Sequence, residues 1–190
     1  IQSVAARNAA GAYQFGRSIV NAVALPSASI PAGSIRGFGT FQSCFALECL
    51  IDEAAQALAM DPIALRLKNC IQDDGYLHTG VKLATPVHAH TVLKAAQASR
   101  IWHTRQRVRA EQTKGDILYG TGFAAAFKTF GKNENGCLAG VELTENGRLK
   151  LYTPAVDMGN GSATTLALSL KSLFGRPADE IQIGVTGYFD

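Results

Sequence analysis

The sequence of 190 residues is long enough to bury a substantial hydrophobic core, in one domain or in two small lobes. Its content of 47% hydrophobic and 17% charged residues is that of an ordinary globular protein. The net charge of +3 is too small to indicate a nucleic-acid partner. No apolar run approaches the roughly 20 residues that cross a bilayer, so no membrane partner is expected either.

The first half of the chain is predicted to be helical after an extended start. Residues 11–25 place aromatic and β-branched residues among polar ones, which favours extended structure, and residues 26–34 are a loop rich in Pro, Ser and Gly. A helix is expected over 40–59, and a short helix over 63–68 that Asp61 caps and Pro62 begins. Apolar residues at helical spacing on the long helix are expected to form one broad stripe: Phe41, Cys44, Phe45, Ile51, Ala55 and Leu58.

The second half is predicted to mix helices and strands. A helix is expected to begin at Thr85 and Pro86. Residues 100–114 hold five basic residues and one acid, which is more typical of a solvated helix face than of a phosphate-binding patch. The remaining predicted elements are strands 117–128, 137–144 and 148–154, the last two joined at Asn146-Gly147, then helix 163–174 and strand 181–185. This mixture predicts an α+β fold of helices and β-hairpins in two lobes, 1–114 and 115–190.

The cysteines and the chain ends indicate the context of the protein. Cys44 and Cys49 lie about 140° apart around the predicted helix, so they cannot share a metal. We interpret the four cysteines as reduced thiols of a cytoplasmic protein. Because Ile1 is not an initiator methionine and the chain stops after a β-like run, we interpret the sequence as a piece of a longer polypeptide.

Two glycine-rich loops lead into predicted helices, at residues 36–40 and 159–162. A helix N-terminus offers unpaired N–H groups and a positive dipole end, which suit an anion, and glycine lets a ligand approach the backbone. The P-loop pattern is absent, and Gln42 stands where the dinucleotide-binding fingerprint has its third glycine. One interpretation of these loops is a nucleotide- or phosphate-binding α/β module.

Glu48 is predicted to lie on the apolar side of the long helix, within about 40° of Cys44. A buried carboxylate needs hydrogen bonds or a cation. We favour a structural tether, to Arg66 or to the backbone of residues 37–39, over a catalytic acid or base. The four histidines do not have metal-ligand spacing, so no metal ligand is predicted.

Two motifs, taken together, resemble a known family. Residues 36–39 read Arg-Gly-Phe-Gly and precede a helix with Ala-Leu-Glu and Asp-Glu, followed by Asp-Pro and Leu-Arg-Leu-Lys-Asn. About ninety residues later, residues 157–161 read Asp-Met-Gly-Asn-Gly behind a hairpin and a strand. In order and spacing these motifs resemble the molybdenum-binding subunit of the xanthine dehydrogenase and aldehyde oxidase family, and the resemblance covers nearly the whole chain.

The resemblance implies part of a molybdenum hydroxylase, an enzyme that inserts a water-derived oxygen at an electrophilic carbon of a small molecule. It implies molybdopterin carrying molybdenum, with the cytosine dinucleotide form left open. It further implies iron-sulfur (2Fe-2S) and FAD groups on partner domains or subunits of an oligomer. The family's catalytic glutamate lies in a motif expected beyond Asp190, so this piece alone is expected to bind no molybdenum and to catalyse nothing.

The resemblance also assigns roles to individual residues. Phe38 is expected to bind the substrate. The residues expected to bind the cofactor are Arg36, Gly37, Gly39, Met158, Gly159, Asn160 and Gly161. About nine residues before Tyr13, purine-specific members carry an anchoring arginine, and this sequence has Val4. The expected substrate is therefore an aldehyde or an N-heterocycle other than xanthine.

Some positions depart from the family pattern. Asn160 stands where Gln is usual and is one methylene shorter, and Ala163 stands where His is frequent. Thr40 and Phe41 stand where Gly or Ser followed by Pro is common. A degenerate structural domain that has lost its cofactor is therefore a second alternative, and a Gly-x-Gly-Glu motif downstream of residue 190 would favour the enzyme over it.

Overall fold

The computed structural model describes residues 1–30, 33, 35–128 and 138–185. The chain divides into two compact units, Ile1–Thr129 and Phe130–Asp190. This boundary follows residues 121–128, whose half-buried Phe123, Ala125 and Phe127 contact the core of the first unit. The assignment of lobes 1–114 and 115–190 stays a prediction. None of the helices in the described part of the chain is both long enough and apolar enough to cross a membrane.

The described residues of the first unit form helices whose starts follow from local sequence. These helices are α1 (Gln2–Arg7), α2 (Thr40–Ala57), α3 (Pro62–Asn69), α4 (Ala89–Gln97) and α5 (Arg100–Gln112). Asp61 Oδ1 accepts hydrogen bonds from the N–H groups of Ile63 (2.9 Å) and Ala64 (3.0 Å), which confirms the predicted cap of α3. Ser99 caps α5 in the same way by accepting from Trp102 N–H at 3.3 Å.

The core of the first unit lies among α3, α4, α5 and the segments beside them. Tyr13 forms an isolated antiparallel bridge with Cys70, and Ile71 N–H donates to the Ala12 carbonyl at 2.8 Å. The Trp102 ring meets Phe123 edge-on at a centroid distance of 6.3 Å. The buried residues of this core are Ala12, Ile63, Cys70, Ile71, Ala89, Leu93 and Trp102.

The second unit is a small sheet covered by one helix in its described residues. Its elements are β1 (Gly140–Leu143), β2 (Leu149–Thr153), α6 (Ser162–Phe174) and β3 (Glu180–Ile183), in the sheet order β1-β2-β3. β1 and β2 form the predicted antiparallel hairpin, while β2 and β3 are parallel, with α6 in the crossover. Leu149 and Leu151 pack against Leu170 of α6. Residue 137, at the start of a predicted strand, lies outside the described residues.

The predicted apolar stripe of α2 is only partly buried. Of the six stripe residues, Ala55 is fully buried, whereas Phe41, Phe45 and Leu58 are 57%, 74% and 61% exposed. Phe41 lies within about 20° of the buried Glu48 around the helix axis, so the side it faces does not explain its exposure. Phe41 stands in the first turn of α2 and Leu58 at its C-cap, so their positions along the helix, near its ends, distinguish them from Glu48 and Ala55.

Two further elements differ from their predictions. α4 begins at Ala89 rather than at Thr85-Pro86, because Asp73 Oδ1 accepts hydrogen bonds from the N–H groups of Val87 (3.0 Å) and His88 (2.6 Å). The predicted strand 117–128 forms no ladder among the described residues, although residues 121–128 alternate half-buried and exposed side chains as a strand does. Helices and a mixed sheet nevertheless confirm the predicted α+β class.

Candidate functional site

The first glycine-rich loop is a tight turn with three successive residues in the left-handed region. Gly37, Phe38 and Gly39 have φ values of 99°, 48° and 99°. Phe38 N–H donates to the Ile35 carbonyl and Thr40 N–H to the Gly37 carbonyl, both at 3.0 Å. A left-handed conformation costs a non-glycine residue about 1–2 kcal/mol, so the surrounding turn must hold Phe38 in place.

The two glycines of this loop differ in how closely their surroundings approach them. A Cβ at Gly37 would lie 2.6 Å from the Phe41 ring, and a Cβ at Gly39 would lie 2.9 Å from the Ile1 carbonyl oxygen and 3.0 Å from Ala5 Cβ. The absence of a side chain at Gly39 therefore lets the start of α2 rest directly on α1. The Phe41 ring is 57% exposed and can turn away from residue 37, so close packing requires glycine only at residue 39.

The N-terminus of α2 has main-chain N–H donors without a hydrogen-bond acceptor among the described residues. Its N-cap is Gly39, which has no side chain, and its first turn holds no acidic residue. The N–H groups of Phe41 and Gln42 have no acceptor among the described residues. Phe38 is 42% exposed beside them. This end of α2 can therefore offer main-chain donors and a positive dipole end to an acceptor-rich group.

Thr40 lies at the first position of α2 and is 5% exposed. Its Oγ1 is buried and has no hydrogen-bond partner in the described part of the chain. An unpaired buried hydroxyl costs about 1–3 kcal/mol of stability. The loop thus carries a buried, unsatisfied side-chain hydroxyl at the position where it enters the helix.

The second glycine-rich loop is closed on its own carboxylate. Asp157 Oδ1 accepts hydrogen bonds from the N–H groups of Gly159 (2.9 Å) and Gly161 (3.4 Å), and Oδ2 accepts from Ala163 N–H at 3.3 Å. These bonds, first of all those from Gly159 and Ala163, lower the pKa of Asp157 below its ordinary value. The carboxylate therefore takes the place at the N-terminus of α6 where an external anion would bind. Sequence reasoning missed this role, although an Asp ahead of glycines and a helix start is a known cue for such a turn.

Glu48 lies in neither loop, and its surroundings are those of a structural tether. Its Oε2 accepts from Arg66 Nε at 2.9 Å and from Ala125 N–H at 2.7 Å, and its Oε1 accepts from the Tyr13 hydroxyl at 2.5 Å. The residue is 5% exposed. The predicted tether to Arg66 is confirmed. Both carboxylate oxygens of Glu48 accept hydrogen bonds from the protein, Oε2 from Arg66 and Ala125 and Oε1 from Tyr13. Tyr13 and Ala125 were not anticipated, because they are 35 and 77 residues away in sequence.

The predicted site residues fall into two groups, one in each unit. Arg36 to Gly39 lie in the turn before α2, and residues 158–161 lie in the turn before α6. Within the described residues, no group of three or more His, Cys, Asp or Glu side chains has the geometry to hold a metal ion.

Comparison with known families identifies the kind of domain in which these loops lie. Residues 1–70 match one sequence model of a molybdopterin cofactor-binding domain, and residues 94–187 match a second model of the same description. The two matches take in most of the chain, and each contains one of the glycine-rich loops. The chain belongs to the molybdopterin cofactor-binding family. The resemblance inferred from the two motifs is thereby confirmed, and so is molybdopterin as the cofactor of the family.

Curated relatives carry related names. The putative xanthine dehydrogenase molybdenum-binding subunit of Escherichia coli K12 is 27% identical over 160 residues, which cover 80% of this chain and 20% of that subunit. The aldehyde oxidoreductase molybdenum-binding subunit of the same strain is 28% identical over 166 residues, which cover 84% of this chain and 21% of that subunit. The chain thus spans about a fifth of the length of the curated relatives it matches.

A solved structure also resembles this molybdopterin-binding chain. The aldehyde oxidoreductase of Desulfovibrio desulfuricans is 23% identical and matches with a TM-score of 0.53, over 78% of this chain and 16% of that chain. At this level of identity the similarity concerns the fold alone. It agrees with the α+β class of the chain.

Proposed function

We propose that this chain forms part of the cofactor and substrate site of a molybdenum hydroxylase. The observation that carries the proposal is that each stretch matched to a molybdopterin-binding domain contains one glycine-rich turn entering a helix. The rest of the enzyme, including the catalytic glutamate, is expected outside residues 1–190. The iron-sulfur and FAD partners, the oligomeric assembly and a cytoplasmic location are proposed for that whole protein.

In this proposal the first loop binds molybdopterin with main-chain groups. The N–H donors of Phe41 and Gln42 lie at the positive end of the α2 dipole, and the cofactor has phosphate and pterin oxygens that accept hydrogen bonds. Arg36 contacts the cofactor through its main chain in this proposal, and Gly37 and Gly39, which have no side chains, let the backbone approach it closely. When bound, the cofactor supplies the redox chemistry that oxidises the substrate carbon.

The proposed substrate is an aldehyde or an N-heterocycle. Phe38 presents a partly exposed ring that can cover a flat or apolar molecule. Val4 lies on α1, the helix on which Gly39 rests through Ile1 and Ala5. An apolar side chain at this position offers no cation to a purine, which argues against xanthine. The relatives do not decide the question, because one is named for xanthine and another for aldehydes.

The alternative of a nucleotide- or phosphate-binding module finds little support in the second loop. Its N–H donors at Gly159, Gly161 and Ala163 are bonded to Asp157. A phosphate at this helix end would have to displace a carboxylate and lie beside its charge. The loop is thus a poor phosphate site in the conformation described.

The experiment that tests the proposal is a measurement of cofactor content. The full-length protein is produced in a host that makes molybdopterin, with an Escherichia coli molybdenum-binding subunit as positive control. Molybdenum is measured by elemental analysis, and pterin by fluorescence after oxidation. We expect both in the full-length protein and neither in the isolated piece of residues 1–190. If the control subunit contained molybdenum and pterin and the full-length protein contained neither, the proposal would be overturned.

The substrate assignment is tested separately with the loaded enzyme. We expect turnover of aromatic aldehydes or pyridines to exceed that of xanthine. Faster oxidation of xanthine than of either class would overturn the substrate assignment and leave the cofactor assignment standing.

A further inference from the structure

The sequence contains three Asn-Gly dipeptides, of which two lie in the described part of the chain. Asn146-Gly147 is in the turn between β1 and β2, and Asn160-Gly161 is in the second glycine-rich loop, while residues 135 and 136 lie outside the described residues. Glycine has no Cβ to shield its main-chain nitrogen, which can attack the side-chain amide of the preceding asparagine and release ammonia. Asparagine is a thermolabile residue. The surroundings of the nitrogen and of the amide decide how fast a folded chain takes this step.

The main-chain nitrogen of Gly161 lies beside a carboxylate and is only weakly bonded to it. Gly161 N–H donates to Asp157 Oδ1 at 3.4 Å, beyond the usual limit of about 3.2 Å for such a bond. Main-chain bonds, first of all those from Gly159 and Ala163, hold the pKa of Asp157 below its ordinary value, so the group is ionised at neutral pH. A carboxylate in this position can accept the proton that an attacking nitrogen loses.

The side-chain amide of Asn160 is held with its oxygen toward two donors. Its Oδ1 accepts from Met158 N–H at 3.4 Å and from the Ser162 hydroxyl at 3.0 Å. A main-chain N–H only donates, so the atom that faces it is the oxygen. Negative charge develops on this oxygen during attack at Cγ, and the Ser162 hydroxyl and the positive end of the α6 dipole stabilise it. The amide nitrogen, which leaves, donates to no residue in the described part of the chain.

Asn146-Gly147 provides a comparison within the same unit. Gly147 and Gly161 have similar φ values of 76° and 72°. Asn146 Oδ1 accepts from the Thr144 hydroxyl, so a hydroxyl polarises the amide oxygen in both turns. The glycine nitrogens differ, because Gly147 N–H donates to the Thr144 carbonyl at 2.8 Å. This bond is short, and a main-chain carbonyl does not take a proton as a carboxylate does.

We propose that Asn160-Gly161 is a site of spontaneous deamidation, at which Asp157 accepts the proton of Gly161 N–H and Ser162 stabilises the side-chain oxygen of Asn160. A bond forms between Gly161 N and Asn160 Cγ, and the bond between Cγ and Nδ2 breaks. The nitrogen leaves as ammonia with the proton lost by Gly161. Water then opens the five-membered ring and leaves aspartate or isoaspartate at residue 160. The step needs no oxidant or reductant.

This site follows from a feature in which the chain departs from its family. Glutamine, which is usual at residue 160, would have to close a six-membered ring, whereas Asn160 closes a five-membered ring with the next nitrogen. The product carries one negative charge more, so the net charge of the chain falls from +3 to +2. The new carboxylate lies two residues from Gly159 and Ser162 at most, in the loop that Asp157 already occupies with its charge. The inference is independent of the proposed function.

The test measures deamidation at residues 146 and 160 in one protein. The full-length protein is produced in a host that does not make molybdopterin and is incubated at mildly alkaline pH. Peptide mapping by mass spectrometry follows aspartate and isoaspartate at each asparagine, and fragment spectra assign the residue. We expect deamidation at Asn160 to be about fivefold faster than at Asn146, the factor that corresponds to one ordinary hydrogen bond. In concentrated urea the two rates should become similar, because both turns are lost.

Two variants test the roles of the neighbouring groups. Asp157→Asn removes the group that accepts the proton, and Ser162→Ala removes the hydroxyl donor. Each should slow deamidation at Asn160 severalfold and leave the rate at Asn146 unchanged. Asp179→Asn is the matched control, because Asp179 also accepts a main-chain bond, from Leu149 N–H at 2.6 Å, but outside the loop. Thermal melting checks folding, and Ser162→Ala carries the test if Asp157→Asn does not fold.

Three results would overturn the inference. The first is an equal or slower rate at Asn160 than at Asn146 in the folded protein. The second is a fivefold difference that persists in urea, since the cause would then be the local sequence and not the loop. The third is a rate at Asn160 in folded Asp157→Asn, or in Ser162→Ala, that equals or exceeds the rate in Asp179→Asn.

Discussion

The guanidinium of Arg66 and the carboxylate of Glu48 form a buried ion pair in which Nε and Nη2 both lie 2.9 Å from Oε2. The Arg66 side chain is 0% exposed and the Glu48 side chain 6%. Arg66 Nη1 also donates to Asp52 at 2.7 Å and to the Pro62 carbonyl at 3.1 Å. The pair therefore joins α2 to α3, and the Arg66 guanidinium donates hydrogen bonds to residues of both helices.

We predict that Arg66→Met destabilises the protein by about 3–5 kcal/mol, because it leaves the Glu48 charge buried without its cation. Arg107→Met is the matched control. Arg107 pairs with Glu111 at 2.8 Å, but both side chains are at least half exposed, so its loss should cost under about 1 kcal/mol. Denaturant titration measures both variants. Equal effects of the two substitutions would show that the buried pair is not a main source of stability.

Tyr13 makes stability depend on alkaline pH. Burial, and then the hydrogen bond to Glu48, raise the pKa of its hydroxyl well above the ordinary 10.0. In the folded state the phenol keeps its proton, while the unfolded chain releases it above about pH 10. The contribution of Tyr13 is therefore fully present below that pH and is lost as the pH rises through the folded-state pKa.

We predict that raising the pH past 10 lowers the free energy of unfolding of the wild type more steeply than that of Tyr13→Phe, which has no proton to lose at this site. Denaturant titrations at neutral and alkaline pH measure the difference. Tyr76→Phe, which removes a phenol that is 54% exposed, serves as the control and should follow the wild type. Parallel curves for wild type and Tyr13→Phe would contradict the assignment.

Local signals in the sequence predicted the elements that depend on neighbouring residues. Asp61 and Pro62 predicted the start of α3, and Asn146-Gly147 predicted the turn between β1 and β2, because each pattern fixes its own backbone. Glu48 was predicted to face inward because a helical wheel needs only the spacing of nearby residues. Each of these features is present in the structure, where Asp61 caps α3, the turn joins β1 to β2, and Glu48 is 5% exposed.

Other features depend on contacts that are distant in sequence. The start of α4 is set by Asp73, fifteen residues before His88, and the Thr85-Pro86 pattern gave no sign of it. The exposure of Phe41 and Phe45 could not be predicted, because a helical wheel shows which side a residue faces and not how far along the helix its neighbours extend. The family resemblance named the residues of the two glycine-rich loops, but the closure of the second loop on Asp157 is seen only in the structure.

Thr40 provides a prediction about the first loop. Its Oγ1 is buried without a partner among the described residues, so Thr40→Val removes an unsatisfied hydroxyl and keeps the β-branched shape. We expect stability to stay unchanged or to rise by about 1 kcal/mol. Thr153→Val is the control, because Thr153 is 1% exposed and its Oγ1 accepts from Ala155 N–H at 3.1 Å. The control should lose about 1–2 kcal/mol. A comparable loss in Thr40→Val would mean that its hydroxyl is bonded.

Phe38 tests the proposed substrate contact. Truncating a buried Phe costs about 3–5 kcal/mol, and the exposure of 42% at Phe38 predicts a much smaller loss. We predict that Phe38→Ala in the full-length enzyme leaves stability and molybdenum content nearly intact and sharply lowers turnover. Denaturant titration, elemental analysis and steady-state kinetics check the three quantities. A loss of several kcal/mol with normal activity per folded molecule would identify Phe38 as a packing residue instead.

The most direct test of the account is the molybdopterin content of three forms of the full-length protein: wild type, Gly39→Ala and Gly147→Ala. Both glycines have positive φ values, 99° and 76°, so either alanine costs about 1–2 kcal/mol of backbone strain. At Gly39 the new Cβ would also lie 2.9 Å from the Ile1 carbonyl oxygen, whereas at Gly147 it would meet no atom within 4 Å.

If the turn before α2 binds the cofactor, the wild type and Gly147→Ala carry molybdopterin and Gly39→Ala loses it while remaining folded by thermal melting. Equal cofactor content in the three proteins, or none in the wild type, would contradict the central claim.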